Sequence, residues 1–182
     1  MAGADLKLLA RRVSRGERAA FRGIVEHTQS RLYRLASRLM GNTADAEDVL
    51  QEAYVKAFSA LQESRFDGRS SVQTWLYRIV TNTAIDATRR RKLRPVAASD
   101  DEATEGQAQF DTHISTEARL ALKELSAWLD DLSAEQRAVV ILRTVEGFST
   151  TETAELLGCS EGAVEQRLIR ARANLSQRRG PT

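Results

Sequence analysis

Apolar residues recur every three or four positions along most of the chain, a spacing that predicts α-helices throughout. In the N-terminal half this spacing predicts three or four helices, separated by glycines that end one helix and polar residues that cap the next. These boundary residues are Gly16, Gly41, Asn42 or Thr43, and Ser70 or Ser71. Residues 62–70, which contain Phe66 and Gly68, interrupt the spacing and are expected to form a loop.

Residues 149–175 carry the pattern of a helix-turn-helix. Ser149 and Glu152 are spaced as a capping box that starts a short helix, and Gly158 is placed to end it. Ser160 can cap the helix that follows. The apolar stripe of this second helix consists of Val164, Leu168, Ala171 and Leu175. A short helix, a short turn and a basic helix form the geometry that lays a recognition helix in a major groove, although a plain helical hairpin shares the pattern.

The helical spacing is lost after the fourth helix. Residues 95–117 hold six acids and no lysine or arginine, a composition typical of a flexible acidic linker. A helix returns at about Ser115, and a capping box of Ser133 and Gln136 begins another helix, which Gly147 ends. We therefore expect an all-α protein with a helical domain at 1–94, a linker at 95–114, and a second helical domain at 115–182.

Composition narrows the classes of protein that fit this pattern. The 182 residues are 42% hydrophobic and 29% charged, which suits one or two small helical domains and excludes a disordered chain. A net charge of +2 does not by itself indicate nucleic acid. The basic residues are clustered, however, at Arg89, Arg90, Arg91, Lys92 and Arg94. Basic segments separated by an acidic one indicate basic modules joined by a linker.

Few residues suit catalysis, metal binding or membrane insertion. Cys159 is the only cysteine, which excludes a disulfide framework and a cysteine-based zinc site and fits the reducing cytoplasm. His27 and His113 lie apart, so neither a metal nor another cofactor is expected. No apolar stretch of about 18 residues is present, so we expect no membrane insertion.

Two blocks of sequence resemble the group IV, or extracytoplasmic function (ECF), sigma factors of bacterial RNA polymerase, which belong to the sigma-70 family. Similar to region 2 of that family are D-A-E-D-V-L-Q-E-A-Y-V-K-A-F at 45–58 and T-W-L-Y-R-I-V-T-N-T-A-I-D at 74–86. Similar to region 4 are L-S-A-E-Q-R-A-V-V-I-L-R at 132–143 and E-G-A-V-E-Q-R-L-I-R-A-R at 161–172. The resemblance implies a protein without enzymatic activity or a small-molecule substrate. Its implied partners are core RNA polymerase and promoter DNA, with an anti-sigma factor as a further candidate.

The resemblance also implies three sets of functional residues. Those expected to dock on the clamp helices of the polymerase share one acidic helix face: Asp45, Asp48, Gln51 and Glu52. At the −10 promoter element an unstacked base must be trapped and phosphates must be contacted. The residues expected there are Phe66, Tyr77, Ile79, Asn82, Arg89, Arg90 and Arg91. Those expected at the −35 element are Ser160, Glu161, Glu165, Gln166, Arg167, Ile169 and Arg170.

Other interpretations of these residues stay open from sequence alone. The acids at 45–52 also suit a solvated helix start, where the helix dipole favours negative charge. Trp75, Tyr77 and Ile79 also fit a plain apolar core, which for Trp75 is the favoured interpretation. At the level of the whole protein, the alternatives are a two-domain regulator that binds duplex DNA without polymerase and a sigma-like protein-interaction scaffold.

The chain departs from the family pattern at the two DNA-facing segments. The loop reads R-F-D-G-R-S-S-V at 65–72, with exchanged charges around Gly68 and with Val72 in place of an aromatic residue. In the recognition helix Ala163 replaces threonine, and Glu165 stands where a basic or small polar residue is usual. A glutamate there repels phosphate but can accept a hydrogen bond from cytosine N4, so the family's usual −35 sequence does not transfer to this chain.

Overall fold

The computed structural model describes residues 2–93, 129 and 131–178, which form α-helices joined by short turns, with no strand among them. The helices are α1 Ala2–Ser14, α2 Ala20–Met40, α3 Thr43–Gln62, α4 Val72–Leu93, α5 Ala134–Val140, α6 Thr150–Leu157 and α7 Glu161–Arg178. The prediction of an all-α fold is confirmed. The predicted linker at 95–114 and the start of a helix near Ser115 lie outside the described residues.

In the first domain the helices begin and end where local signals predicted. Gly41 follows α2 in the left-handed conformation at φ 79°, and its N–H donates to the Ser37 carbonyl. The Asn42 side chain caps α3 by accepting from the Asp45 N–H at 2.8 Å. At the start of α4 the hydroxyl of Ser71 accepts from the Thr74 N–H at 3.0 Å. These contacts satisfy backbone groups that a helix end leaves without a partner.

The helix-turn-helix of the second domain is present as predicted. Ser149 and Glu152 cap each other reciprocally, since each side chain accepts a hydrogen bond from the backbone N–H of the other. Gly158 ends α6 in the left-handed conformation at φ 62°. The Ser160 hydroxyl then accepts from the Ala163 N–H at the start of α7. The two helices are thereby held by a turn whose geometry is set by its own residues.

A π-helical turn at Ile141–Val145 continues α5 and was not predicted. The N–H of Glu146 donates to the Ile141 carbonyl, five residues back, at 3.0 Å. Gly147 then takes a positive φ of 77°, and the Phe148 N–H donates to the Leu142 carbonyl at 3.0 Å. A π turn carries one more residue than an α turn, so the chain leaves α5 in a different direction. This exit points the side chains of Glu146 and Phe148 at the first domain.

One hydrophobic core joins the two domains. It contains Ile24, Leu35 and Leu76 from α2 and α4, and it continues into Ile141 and Leu142 of the π turn. A smaller cluster inside the second domain, formed by Val139, Ala154 and Val164, holds the helix-turn-helix together. The two domains are therefore packed against each other in this structure.

Arg137 makes a buried polar contact between the domains, with 7% of its surface exposed. Its Nη1 donates to the carbonyl of Leu39, in the last turn of α2, at 3.0 Å, and its Nε donates to the carbonyl of Leu129 at 3.0 Å. A cation is favourable at a helix C-terminus, where carbonyls lack partners within the helix. This guanidinium therefore closes the end of α2 with a group from the second domain.

Replacing Arg137 by methionine keeps most of the side-chain volume and removes the hydrogen bonds. We expect Arg137→Met to lower the free energy of unfolding by about 1–3 kcal/mol, because buried carbonyls lose their donor. Urea denaturation of the full chain measures this loss, with the solvent-exposed Arg172→Met as the control. Equal midpoints for the two variants would show that the contact between Arg137 and Leu39 does not stabilise the protein.

Candidate functional site

The predicted polymerase-binding residues lie along α3, but they divide into two pairs. Asp48 and Gln51 are exposed. Asp45 and Glu52 are half-buried and paired with α4, through Arg91 at 2.8 Å and Arg90 at 3.0 Å. The two ion pairs bind α3 to α4. The outward-facing part of the acidic face is then formed by Asp48 and Gln51.

Glu52 is also paired within its own helix. The ammonium of Lys56 lies 2.7 Å from a carboxylate oxygen of Glu52. The hydrogen bond from Lys56 lowers the pKa of Glu52; burial opposes it, and a second hydrogen bond from Arg90 helps to hold the pKa below its ordinary value. Glu52 therefore keeps a negative charge at neutral pH on this face.

An apolar groove of about 680 Å³ lies beside the acidic face, between α2 and α3. Its apolar lining is Phe21, Leu50, Tyr54, Val55 and Phe58, with Glu47 and Gln51 among the polar residues at its edge. The Val55 side chain is 61% exposed, which is unusual for a large hydrophobic residue. The groove was not predicted from the sequence.

The loop at 63–71 and one side of α4 bring together several residues predicted for the −10 element. The ring of Phe66 packs against Trp75, with centroids 4.9 Å apart, and Trp75 is half-buried. Ile79 and Asn82 are also half-buried, and at about 100° per residue they lie about 60° apart on the helix. Phe66, Ile79 and Asn82 thus stand close to the loop side of α4, where sequence analysis placed a base pocket.

Tyr77 lies on a different side of α4 and is covered by the second domain. It is 3% exposed, and its ring meets Phe148 edge to face with centroids 5.4 Å apart. Its hydroxyl donates to Oε2 of Glu146 at 2.9 Å. Burial, and then this hydrogen bond, raise the pKa of Tyr77 above its ordinary value, so the phenol remains a donor. In this arrangement DNA has no access to the Tyr77 ring.

The predicted phosphate contacts at the end of α4 are exposed arginines, and each is paired with a carboxylate. Arg90 and Arg91 bind the α3 acids described above, and Arg89 binds Glu135 of α5. Partial burial raises the pKa of Glu135, but hydrogen bonds from its own backbone, Arg89 and Ser133 outweigh burial and lower it. Surface ion pairs contribute about 0–1 kcal/mol each, so phosphate can replace these carboxylates at little cost.

The recognition helix α7 buries Val164 and Ala171 and presents its opposite face to solvent. Of the residues predicted for the −35 element, all but the half-buried Arg167 are exposed, and the face opposite Val164 and Ala171 carries Glu165, Gln166, Ile169 and Arg170. The others have contacts within the domain. Ser160 caps the helix, Glu161 accepts from Thr151 at 2.8 Å, and Arg167 donates to the sulfur of Cys159 at 3.0 Å.

Glu146 and Phe148, which contact Tyr77 at the boundary between the domains, were not predicted, and neither was Arg38, which pairs with Glu146. Nη1 of Arg38 lies 2.7 Å from Oε1 of Glu146. No periodicity or motif connects residues more than 100 positions apart, so the sequence carries no local signal for this contact.

Residues 2–93, 129 and 131–178 hold neither a cluster of metal ligands nor a helix suited to a membrane. In this part of the chain no three or more histidine, cysteine, aspartate or glutamate side chains come together as a metal site. None of the helices described there is long and apolar enough to cross a bilayer. His27 is exposed and contacts the Gly23 carbonyl, and His113 lies outside these residues.

Comparison with known proteins matches both blocks. The family described as Sigma-70 region 2 matches residues 24–94, and Sigma-70, region 4 matches residues 122–175. The ECF RNA polymerase sigma factor SigM of Mycobacterium tuberculosis is 35% identical over 95% of this chain and 83% of its own length. The ECF RNA polymerase sigma-E factor of Escherichia coli is 33% identical over 96% of this chain and 94% of its own length.

Solved structures agree with the sequence comparisons. CnrH, in a complex with the cytosolic domain of CnrY, has a TM-score of 0.63 and 30% identity, covering 95% of this chain and 96% of CnrH. RpoE of Bartonella quintana, in a complex with the anti-sigma factor NepR, has a TM-score of 0.61 and 27% identity, covering 86% and 94%. Two sigma-70 regions in this order, with relatives matched along nearly the whole length, show that the chain belongs to the ECF (group IV) sigma factors of the sigma-70 family.

Proposed function

We propose that this protein acts as an alternative sigma factor through three separate binding surfaces. Its family membership establishes that it binds core RNA polymerase and directs promoter recognition. The surfaces are the acidic face and groove of α3 for polymerase, the loop at 63–71 with α4 for the −10 element, and α7 for the −35 element. The observation that carries this division is exposure, since Asp48, Gln51 and the outer face of α7 are open to solvent.

The apolar groove strengthens the assignment of α3 to polymerase binding. Stable protein interfaces have an apolar centre with a polar rim, and here Leu50 and Val55 lie beside the charged edge of the same helix. The occupant we propose is the clamp helices of the large polymerase subunit, the partner that the resemblance implies for this segment. A helix laid in such a groove buries apolar area while Asp48 and Gln51 supply polar contacts.

Promoter binding requires the two domains to part. The −10 and −35 elements are about 25 base pairs apart, or roughly 85 Å along B-DNA. Two domains that share one core cannot contact both elements at once. The linker predicted at 95–114 holds 20 residues and can span roughly 70 Å when extended, so the linker and the two domains together can reach both elements. We infer that the packed arrangement belongs to the free protein.

An anti-sigma factor is a further proposed partner. This chain resembles two proteins that were solved in complexes, along most of its length. The Bartonella quintana protein was solved with an anti-sigma factor, and CnrH was solved with the cytosolic domain of CnrY. We propose that the partner of this chain also binds the free protein, because the polymerase-binding face is exposed there.

Reversal of one exposed charge tests the polymerase surface. We expect Asp48→Arg to weaken binding to core polymerase by about tenfold, equivalent to about 1.4 kcal/mol, because it puts a cation on an acidic docking face. Titration of labelled protein with core polymerase measures this, and Gln29→Arg on exposed α2 is the matched control. If Asp48→Arg binds as well as Gln29→Arg, α3 does not dock through this face.

Removal of one amide tests the −10 surface. We expect Asn82→Ala to form the closed complex normally and to reduce open complex, because an amide that holds an unstacked base is lost. Permanganate reactivity of −10 thymines measures opening, and Gln29→Ala controls for loss of an exposed amide elsewhere. Reactivity equal to that of wild type would return Asn82 to a structural role.

Charge reversal at Glu165 tests base reading by α7. We expect Glu165→Arg to strengthen DNA binding, to steepen its dependence on salt, and to change the preferred base at one −35 position. Selection from a randomised −35 library measures preference, and Glu155→Arg makes the same charge change on exposed α6. Identical base preferences for wild type and Glu165→Arg would show that this residue does not read DNA.

A further inference from the structure

The carboxylate of Glu146 is enclosed at the boundary between the domains, with 12% of its side chain exposed. Its two oxygens have different donors, both from the first domain. Oε1 accepts from Nη1 of Arg38 at 2.7 Å, and Oε2 accepts from the Tyr77 hydroxyl at 2.9 Å. A guanidinium and a hydroxyl around one anionic group form the kind of donor set that also binds phosphate oxygens.

The surroundings of this carboxylate are basic and rich in hydroxyl groups. It lines a cavity of about 240 Å³ together with Arg31, Ser71, Thr74 and Tyr77. Arg34 and Arg31 lie near enough to Tyr77 to act electrostatically on its pKa. On α2 the three arginines follow i, i+3 and i+7, which places Arg31, Arg34 and Arg38 in one row along the helix.

The donors and the acceptor belong to different domains. Arg31, Arg34, Arg38 and Tyr77 stay together on α2 and α4 when the domains part, whereas Glu146 leaves with the second domain. When the Glu146 carboxylate leaves, the three arginines and the Tyr77 hydroxyl lose the anion that they surround. Ser71 and Thr74 line the same cavity and directly follow the loop that carries Phe66, so the row of arginines lies next to the segment proposed to hold the −10 strand.

We propose that Arg38 and Tyr77 form an anion site that receives a phosphodiester of promoter DNA, and that Glu146 occupies this site in the free protein. The proposal rests on the proposed function, since it requires the −10 strand to lie on the first domain. Glu146 then acts as an internal competitor of DNA. Its removal favours DNA binding by the free protein, whereas removal of Arg38 takes away a contact with DNA.

Two nearly isosteric variants separate this site from a simple contact between domains. Glu146→Gln and Arg38→Gln each break the same ion pair, so both loosen the domain boundary. In the free full-length protein, a labelled single-stranded DNA containing the −10 sequence is the probe, measured by fluorescence anisotropy. We expect Glu146→Gln to bind it several-fold more tightly than wild type and Arg38→Gln to bind it no more tightly. The double variant is expected to behave as Arg38→Gln.

Holoenzyme provides the second arm, because there the domains have already parted. On fork-junction promoter DNA we expect Arg38→Gln to bind several-fold more weakly, with the slope of log affinity against log salt smaller by about one. Glu146→Gln is expected to match wild type, and Arg38→Lys to recover part of the affinity. Thermal unfolding of each variant checks that the chain is folded, and Arg38→Lys keeps the test valid if Arg38→Gln is unstable.

The proposal would be overturned if the free Arg38→Gln and Glu146→Gln proteins both bound the single-stranded DNA more tightly than wild type, and to the same degree. The ion pair would then only hold the domains together. Equal affinity of wild-type and Arg38→Gln holoenzyme would overturn it as well. Failure of the wild-type holoenzyme to bind the fork junction would instead contradict the proposed function, so the two failures are distinguishable.

Discussion

The packing of the second domain on α2 and α4 is the contact on which the rest of this structure depends. A small helical domain buries limited apolar area by itself, and the internal cluster of Val139, Ala154 and Val164 uses only part of the apolar surface of α5. In the π turn that continues α5, Ile141 and Leu142 belong to the core shared with the first domain. Arg137 then supplies the last turn of α2 with a hydrogen bond, to the Leu39 carbonyl, that α2 cannot make internally. Parting the domains exposes this surface, so polymerase and promoter must together compensate for its loss.

The proposed polymerase and DNA surfaces share ion pairs, which ties their electrostatics together. Asp45 and Glu52 of the docking helix hold Arg91 and Arg90 of the basic cluster. A partner that neutralises these acids frees the arginines for phosphate, and phosphate that binds the arginines frees the acids. Because such exposed pairs are weak, exchange of partners on both faces costs little.

Sequence predicted the helices well because their ends are decided by neighbouring residues. Gly41, Gly158 and the Ser133 and Ser149 caps act within one turn of the chain, so each could be recognised from a few letters. The apolar stripe of α7 likewise fixed which residues face solvent, as the exposed Ile169 shows. The roles assigned to individual DNA-facing and polymerase-facing residues stay predictions.

What sequence could not supply was contact between distant segments. From the sequence, Tyr77 could be interpreted as a core residue or as a DNA contact. Its hydrogen-bond partner Glu146 lies 69 positions away. The sequence shows one basic cluster at Arg89, Arg90 and Arg91. Their separate partners on α3 and α5 are known only from the packing of the helices. The groove beside Val55 was hidden because apolar spacing does not say which side of a helix lacks a neighbour.

The π turn at Ile141–Val145 amounts to one additional residue in the register of α5. An insertion of one further residue there would rotate everything after it by about 100° about the helix axis, because the π turn already holds the one additional residue that the segment absorbs. The length of this segment, and not only its composition, therefore sets the phase of the recognition helix relative to the first domain. Insertions and deletions should be tolerated far less between Ala138 and Gly147 than in a surface turn of equal length.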